Sequence, residues 1–523
     1  MNQNPRPSDA LGAPGDQTTA VSAKGNTTFS SDTTVESKTF SSTTGGENAV
    51  LVVDGGVVLL ESPTITKSGD ESSENSDFYG TNAAVLATGG TLTIQGGSIT
   101  TSGAHANGVF AYGDSLINVI NTKITTTSNN SGGVMVAGEG SLSVSNATIE
   151  TSGNSSAAIR SDRGGGTLSV SGGSYKTTGI GSPAIYSTAF ISVEDAVLHS
   201  TASEGVVIEG GNSVSLKNTT LTDSNTSLNG NSETYKNIFI YQSMSGDASE
   251  GIGSFSAYNS TITTDHGDTF YVTNTTAEIF LENNQFTNND ETSAFLRAEG
   301  AKWGTAGQNG GDVELTLTNQ VVEGDIILDN LSSLTLTMDG SHYMGAINTS
   351  NAAKSVSVTL SADSNLILTG NTYLTSLENA DSTNKNIYSN GYKLYVGETE
   401  VAVNGSEAPE LPEVDIVPIA TGDTCETEDC EETIVISENA IINPIPFIVG
   451  GAAFAILVAA IVALIIYNKK KTKLPPTPPS APSAPDFSAL GDSATTTPPP
   501  APTASALPSS TPEKTPPTPP PAV

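Results

Sequence analysis

In the stretch TTDHGDTF, residues 263–270, two carboxylates and an imidazole fall within four positions: Asp265, His266 and Asp268. An Asp–His pair can relay a proton in general acid/base chemistry, and carboxylates beside an imidazole are the donors a divalent cation takes. The competing reading is a solvated loop, because Asp and Gly crowd turns for conformational reasons. The loop is the default here, and no metal site or cofactor is expected. A second candidate is Trp303, the only tryptophan, in RAEGAKWGTAGQNGGD, residues 297–312. Its indole can stack on a sugar ring or pack over the body of the fold, and packing is the simpler expectation. Arg160 and Arg163 flank Asp162 just before a Gly-rich turn, which reads as a surface ion-pair cluster. Cys425 and Cys430, in TGDTCETEDCEETI, are expected to form a local disulfide loop; two thiols alone fall short of a zinc site.

The elements that must position these groups show themselves as a repeat. Apolar alternations recur at Leu92/Ile94, Ile117/Val119, Leu142/Val144, Leu168/Val170, Ile191/Val193 and Val214/Leu216, at intervals of 23 to 26 residues. Two positions on stands a small or amide residue: Gly96, Asn121, Asn146, Gly172, Asp195 and Asn218. Three further on an apolar residue returns, at Ile99, Ile124, Ile149, Tyr175, Leu198 and Leu221. The register resumes after a break with Phe255/Ala257/Asn259/Ile262, Ile279/Leu281/Asn283/Phe286 and Leu315/Leu317/Asn319/Val322. Each unit also opens with a short apolar run such as GVMVA at 133–137 or GVVIE at 205–209. Three short strands per unit cannot stand as isolated hairpins, but coils stacked on one another pair every strand with its equivalent and bury one continuous core. The period therefore predicts a mainly β fold, a parallel β-helix. It should be right-handed, as parallel crossovers nearly always are. About a dozen coils would extend roughly 60 Å. The Gly/Asn/Asp position marks a turn with left-handed backbone geometry, and stacked Asn side chains can bond along the axis as a ladder. Such residues recur in every coil, so they are scaffold; binding elements belong where the pattern breaks, between Leu221 and Phe255 and at 297–312. Within the first break YKNIFIY reads as an opening strand of an enlarged coil.

Composition agrees with a β solenoid outside the cytosol. The chain of 523 residues has 52 Gly, 14% charged residues and a net charge of -35. Before residue 447 there are 52 acidic against 15 basic residues, which excludes nucleic acid as a partner. FIVGGAAFAILVAAIVALIIY, Phe447–Tyr467, runs 21 residues without a charge and reaches roughly 30 Å as a helix, enough to span a lipid bilayer. Lys469, Lys470, Lys471 and Lys473 follow it, so the C-terminus is expected to be cytoplasmic and the N-terminal domain extracellular. The first residues, MNQNPRPSDALGAPG, have no basic or apolar region of a signal peptide, which leads us to expect a processed or wrongly assigned start. The tail, residues 468–523, holds 17 of the 27 prolines; it is expected to be disordered, with PxxP spacings that suit an SH3- or WW-like partner. The LPPTP at Leu474–Pro478 follows the span instead of preceding it, which excludes wall sorting. Sequons at Asn146, Asn218, Asn259, Asn330 and Asn348 are mostly chance in so Asn/Ser/Thr-rich a chain. The organisation read from the sequence is a flexible segment 1–43, a right-handed parallel β-helix 44–403, an acidic stalk 404–446, a single transmembrane helix 447–467 and a Pro-rich tail 468–523.

Two blocks carry a resemblance. NAVLVVDGGVVLLESPTITKSGDESSENSDFYGTNAAVLATGGTLTIQGGSITTSG, residues 48–103, and NLILTGNTYLTSLENADSTNKNIYSNGYKLYVG, residues 365–397, resemble bacterial adhesin-like surface proteins of the pectate-lyase-like right-handed β-helix superfamily. The resemblance implies an extracellular, adhesin-like role with a host, microbial or glycan ligand. The alternative it brings is a membrane-tethered polysaccharide lyase or glycoside hydrolase. Polygalacturonase-type chemistry needs an Asp-Asp pair, a Gly-His-Gly and an Arg-x-Lys; none of the three occurs. The expectation is therefore a protein that is not an enzyme, with Trp303, Asp265, His266 and Asp268 as candidate ligand contacts.

Overall fold

The computed structural model describes residues 22–416 except residue 231, and over that span the chain is a parallel β-solenoid of about fifteen turns, of the right-handed type. Three sheets form most of its faces. Sheet A has 12 strands, sheet B 14 and sheet C 10, with each strand bonded to its equivalent one coil away; a four-stranded sheet takes the place of C in the last coils. At about 4.8 Å per coil the stack extends about 65–70 Å. Among the described residues helix is confined to Glu74–Tyr79, capped by Ser73 and ended by Gly80 at φ 69°.

The alternations seen in the sequence are the inward rows of sheet B. Leu92, Ile117, Leu142, Leu168, Ile191, Val214 and Phe255 are consecutive partners in register, and all are buried. Ile99, Ile124, Ile149, Tyr175, Leu198, Leu221 and Ile262 form the equivalent row of sheet C. Between the two sheets the expected left-handed residues stand where the repeat places them: φ is 50° at Asn121, 49° at Asn146, 56° at Asp195, 47° at Asn218, 50° at Asn259 and 51° at Asn283. The ladder also forms, with Asn218 Nδ2 donating to Asp195 at 3.1 Å, Asn259 Nδ2 to Asn218 at 2.9 Å and Asn283 Nδ2 to Asn259 at 3.0 Å. Asn146→Val puts a β-branched residue into that backbone region and is expected to cost about 1–3 kcal/mol. Asn146→Gly keeps the conformation and should cost under about 1 kcal/mol; urea midpoints of the two variants measure the difference.

One feature differs from the sequence reading. The first coil begins at Gly25, with strands Gly25–Phe29, Thr33–Glu36 and Thr39–Ser42 already paired to the second, inside the segment expected to be flexible. Its alternation is written in Thr and Ser with few apolar residues, so it carries little hydrophobic signal. The broken coil is enlarged as expected: Lys236–Tyr241 joins sheet A, and residues 242–251 loop out before Ile252–Tyr258. The Cys425/Cys430 pair, the apolar run 447–467 and the Pro-rich tail lie outside the described residues. Among the described residues no helix is long and apolar enough to cross a membrane.

Candidate functional site

The sequence-predicted trio does not converge. Gly267, at φ 87°, turns the chain between strands Thr261–Thr264 and Asp268–Thr273, so the flanking residues face different ways. His266 is exposed and Asp265 half-buried on the outside of that turn. Asp265 accepts from Ser224 Oγ at 2.8 Å and from Asn289 Nδ2 at 2.7 Å. Asp268 is 1% exposed and accepts from Arg297 Nε at 2.6 Å and from the Ala294 N–H at 2.7 Å. It is a buried ion-pair partner, where the sequence reading had a solvated loop. No group of three His, Cys, Asp or Glu among the described residues is placed to hold a metal ion. Trp303 is half-buried and packs on Phe239 and Tyr241, with ring centroids 5.1 and 5.4 Å away. Asn309 Nδ2 donates to its carbonyl and to that of Ala301, which closes the loop down over sheet A.

The larger constellation lies on the outward face of sheet A. Arg160, Tyr186, Val207, Phe239, Tyr271 and Arg297 stand in one row, one per coil, in register. Beside that row sit Asp162, Glu209 and Tyr241. Asp162, 5% exposed, pairs with Arg160 Nη2 at 3.0 Å and accepts from the Arg163 N–H at 2.9 Å. The Arg163 guanidinium bonds Asp247 at 2.7 Å and lies 3.9 Å over the Phe78 ring. Glu209, 1% exposed, accepts from the hydroxyls of Tyr186 and Ser243 and from Tyr241 at 3.0 Å. The Arg160/Asp162 cluster is thus buried, a correction to the surface pair read from the sequence. The cause is cover: the short helix supplies Phe78, and the looped-out residues 242–251 supply Ser243 and Asp247. Burial pushes the Asp162 carboxyl up to about 7 against the pull of Arg160, and raises Glu209 in spite of the hydroxyls that donate to it. The signal for this cluster was present as polar and aromatic residues at coil spacing, but at outward positions that look like ordinary surface.

Asp162 and Glu209 are occupied by donors and covered, so neither faces a space where a sugar ring or water could be attacked. An open cleft of about 400 Å³ lies beside it at the corner between sheets A and B, lined by Gly164, Gly165, Gly166, Phe190, Asn212 and Asp247. Phe190 is 63% exposed at its rim. A Cβ at Gly166 would meet the Gly140 carbonyl at 2.3 Å, so the glycine run is a packing requirement of the corner. Asp247, held by Arg163, is the link between this cleft and the covered cluster. The arrangement can hold a ligand at its rim, where the exposed Glu139 also lines the cleft. Comparison of the chain with protein-family models, with curated proteins and with solved structures finds no match.

Proposed function

We propose that the chain is a membrane-anchored, cell-surface protein, adhesin-like and non-catalytic, whose pectate-lyase-like solenoid displays a binding surface outside the cell to a host, microbial or glycan ligand. The observation that carries this reading is the state of the acids on sheet A: Asp162, Glu209 and Asp268 are each buried and saturated by donors. The acidic composition suits a soluble extracellular stack, the run 447–467 supplies the contact with the lipid bilayer, and the PxxP tail supplies a site for an SH3- or WW-like cytoplasmic partner. A second reading, a polysaccharide lyase or hydrolase, is favoured by one observation, the meeting of three carboxylates and two arginines on one sheet face. The test is a binding measurement with the full-length chain on a glycan array and on cells. Retention of a ligand that is recovered unchanged is the expected result. A ligand recovered cleaved would favour the second reading.

A further inference from the structure

We propose that the outward face of sheet B, from Ser143 to Phe280, is a groove that binds an extended, uncharged glycan chain laid along the solenoid axis; this rests on the non-catalytic display reading and deepens it. The floor of the groove is a row of serines. Ser143, Ser169, Ser192, Ser215 and Ser256 are consecutive partners in register, one hydroxyl per coil at about 4.8 Å spacing. Side chains this short leave a trough of about 350 Å³ above the sheet, lined by Ser143, Ser169, Ser171, Ser192, Ser215 and the pair Glu194/Lys217. Larger apolar side chains border it and are exposed. Phe190 flanks the row on one side, Tyr258 on the other, and Phe280, the partner of Ser256 in the next coil, closes its end. Exposed aromatics on the outside of a sheet have no role in its core; Phe190 stands where the trough meets the neighbouring cleft, and Tyr258 and Phe280 continue the same face one and two coils beyond it.

Charge selects the class of ligand. The chain carries -35, yet the only ionic groups lining the trough, Glu194 and Lys217, are bonded to each other. An anion is repelled by the surrounding acid, Glu278 and Glu282 beside Phe280 included, and finds no free cation in the trough. Serine hydroxyls both donate and accept, as sugar hydroxyls do, and aromatic rings present an apolar face to a pyranose ring. A row repeated at coil spacing suits a polymer better than a single small molecule. This surface is separate from the covered acids of sheet A and uses none of them.

The test titrates the full-length chain with a cello-oligosaccharide, with mannan, with dextran and with polygalacturonate as the anionic comparison. Ser192→Glu places a charge in the middle of the row, and Phe190→Ala removes the exposed ring; both positions point away from the core. Thr222→Glu, outward on sheet C, adds the same charge elsewhere. At least one neutral probe should bind the native chain, polygalacturonate should not, and S192E and F190A should each weaken binding about tenfold while T222E leaves it unchanged. Absence of binding to every neutral probe overturns the proposal, as does binding that S192E and F190A leave intact. So does a result in which S192E abolishes only self-association, since the face then receives a second copy of the chain. Cleavage of a probe would sink the non-catalytic reading, whereas retention without cleavage at a site indifferent to S192E would sink the groove alone.

Discussion

Arg297→Ala is expected to destabilise the solenoid by about 3–5 kcal/mol, because it strands the Asp268 carboxylate without its cation at a position that is 1% exposed. The same substitution would cost little if Asp268 were the solvated loop residue that the sequence suggests. Adding Asp268→Asn to the Arg297→Ala chain should recover most of the loss. The amide still accepts from the Ala294 N–H and the stranded carboxylate charge is gone, while the neighbouring buried Lys236 keeps Glu204 as its partner. Asp265→Asn, on the exposed side of the turn, should stay within about 0.5 kcal/mol of the native chain. Urea unfolding of the three variants and the native chain checks the pattern. A small loss in Arg297→Ala, or no recovery in the double variant, would show that Asp268 is not a buried partner of Arg297.

Mild acidification is expected to stabilise the solenoid. Asp162 has its carboxyl raised to about 7 by burial, against about 3.9 in an unfolded chain. Below about pH 4 it is protonated in both states and costs nothing; between about 4 and 7 only the unfolded chain releases the proton, so every step up in pH favours unfolding. Above about 7 the penalty is complete, a few kcal/mol at most. Burial raises Glu209 and Asp223 in the same direction. Asp290, held down to about 2 by Thr292 and the Gly267 N–H, acts oppositely only below about pH 4; His199 and His342, lowered by burial, act oppositely below about pH 6.5 and are outweighed by the three raised carboxyls. The Tm should therefore rise as the pH is lowered from about 8 to about 5, and Asp162→Asn should flatten that slope. A Tm that falls over this window, or an unchanged slope in Asp162→Asn, would contradict the burial described for this carboxyl.

What was legible in the sequence was whatever every coil must repeat. Leu142, Val144 and Ile149 announce inward positions because alternation has a period of two, and Asn146 announces a left-handed turn because few residue types tolerate one. The outward cluster on sheet A was hidden for the opposite reason. Arg160, Asp162 and Glu209 occupy positions that face water in a bare solenoid, and only the cover from residues 242–251 and Phe78 makes them interior. Nothing local to Asp162 encodes a loop 85 residues away. Asp268 was obscured in the same manner, since its partner Arg297 comes from the next coil of sheet A. Trp303 was placed by its chemistry: an indole beside Phe239 and Tyr241 gains more from packing over them than from standing in water. The serine row of sheet B is visible in SLSVS and its equivalents, but its meaning as a face depends on which aromatics border it, and those come from other coils.

The central claim is that this solenoid binds without catalysing. It is tested most directly by incubating the full-length chain with a panel of acidic polysaccharides and measuring both new reducing ends and unsaturated products. The account predicts neither product above the level of the polysaccharides alone. Turnover that disappears in a folded Asp162→Asn, Glu209→Gln or Asp265→Asn chain would contradict it.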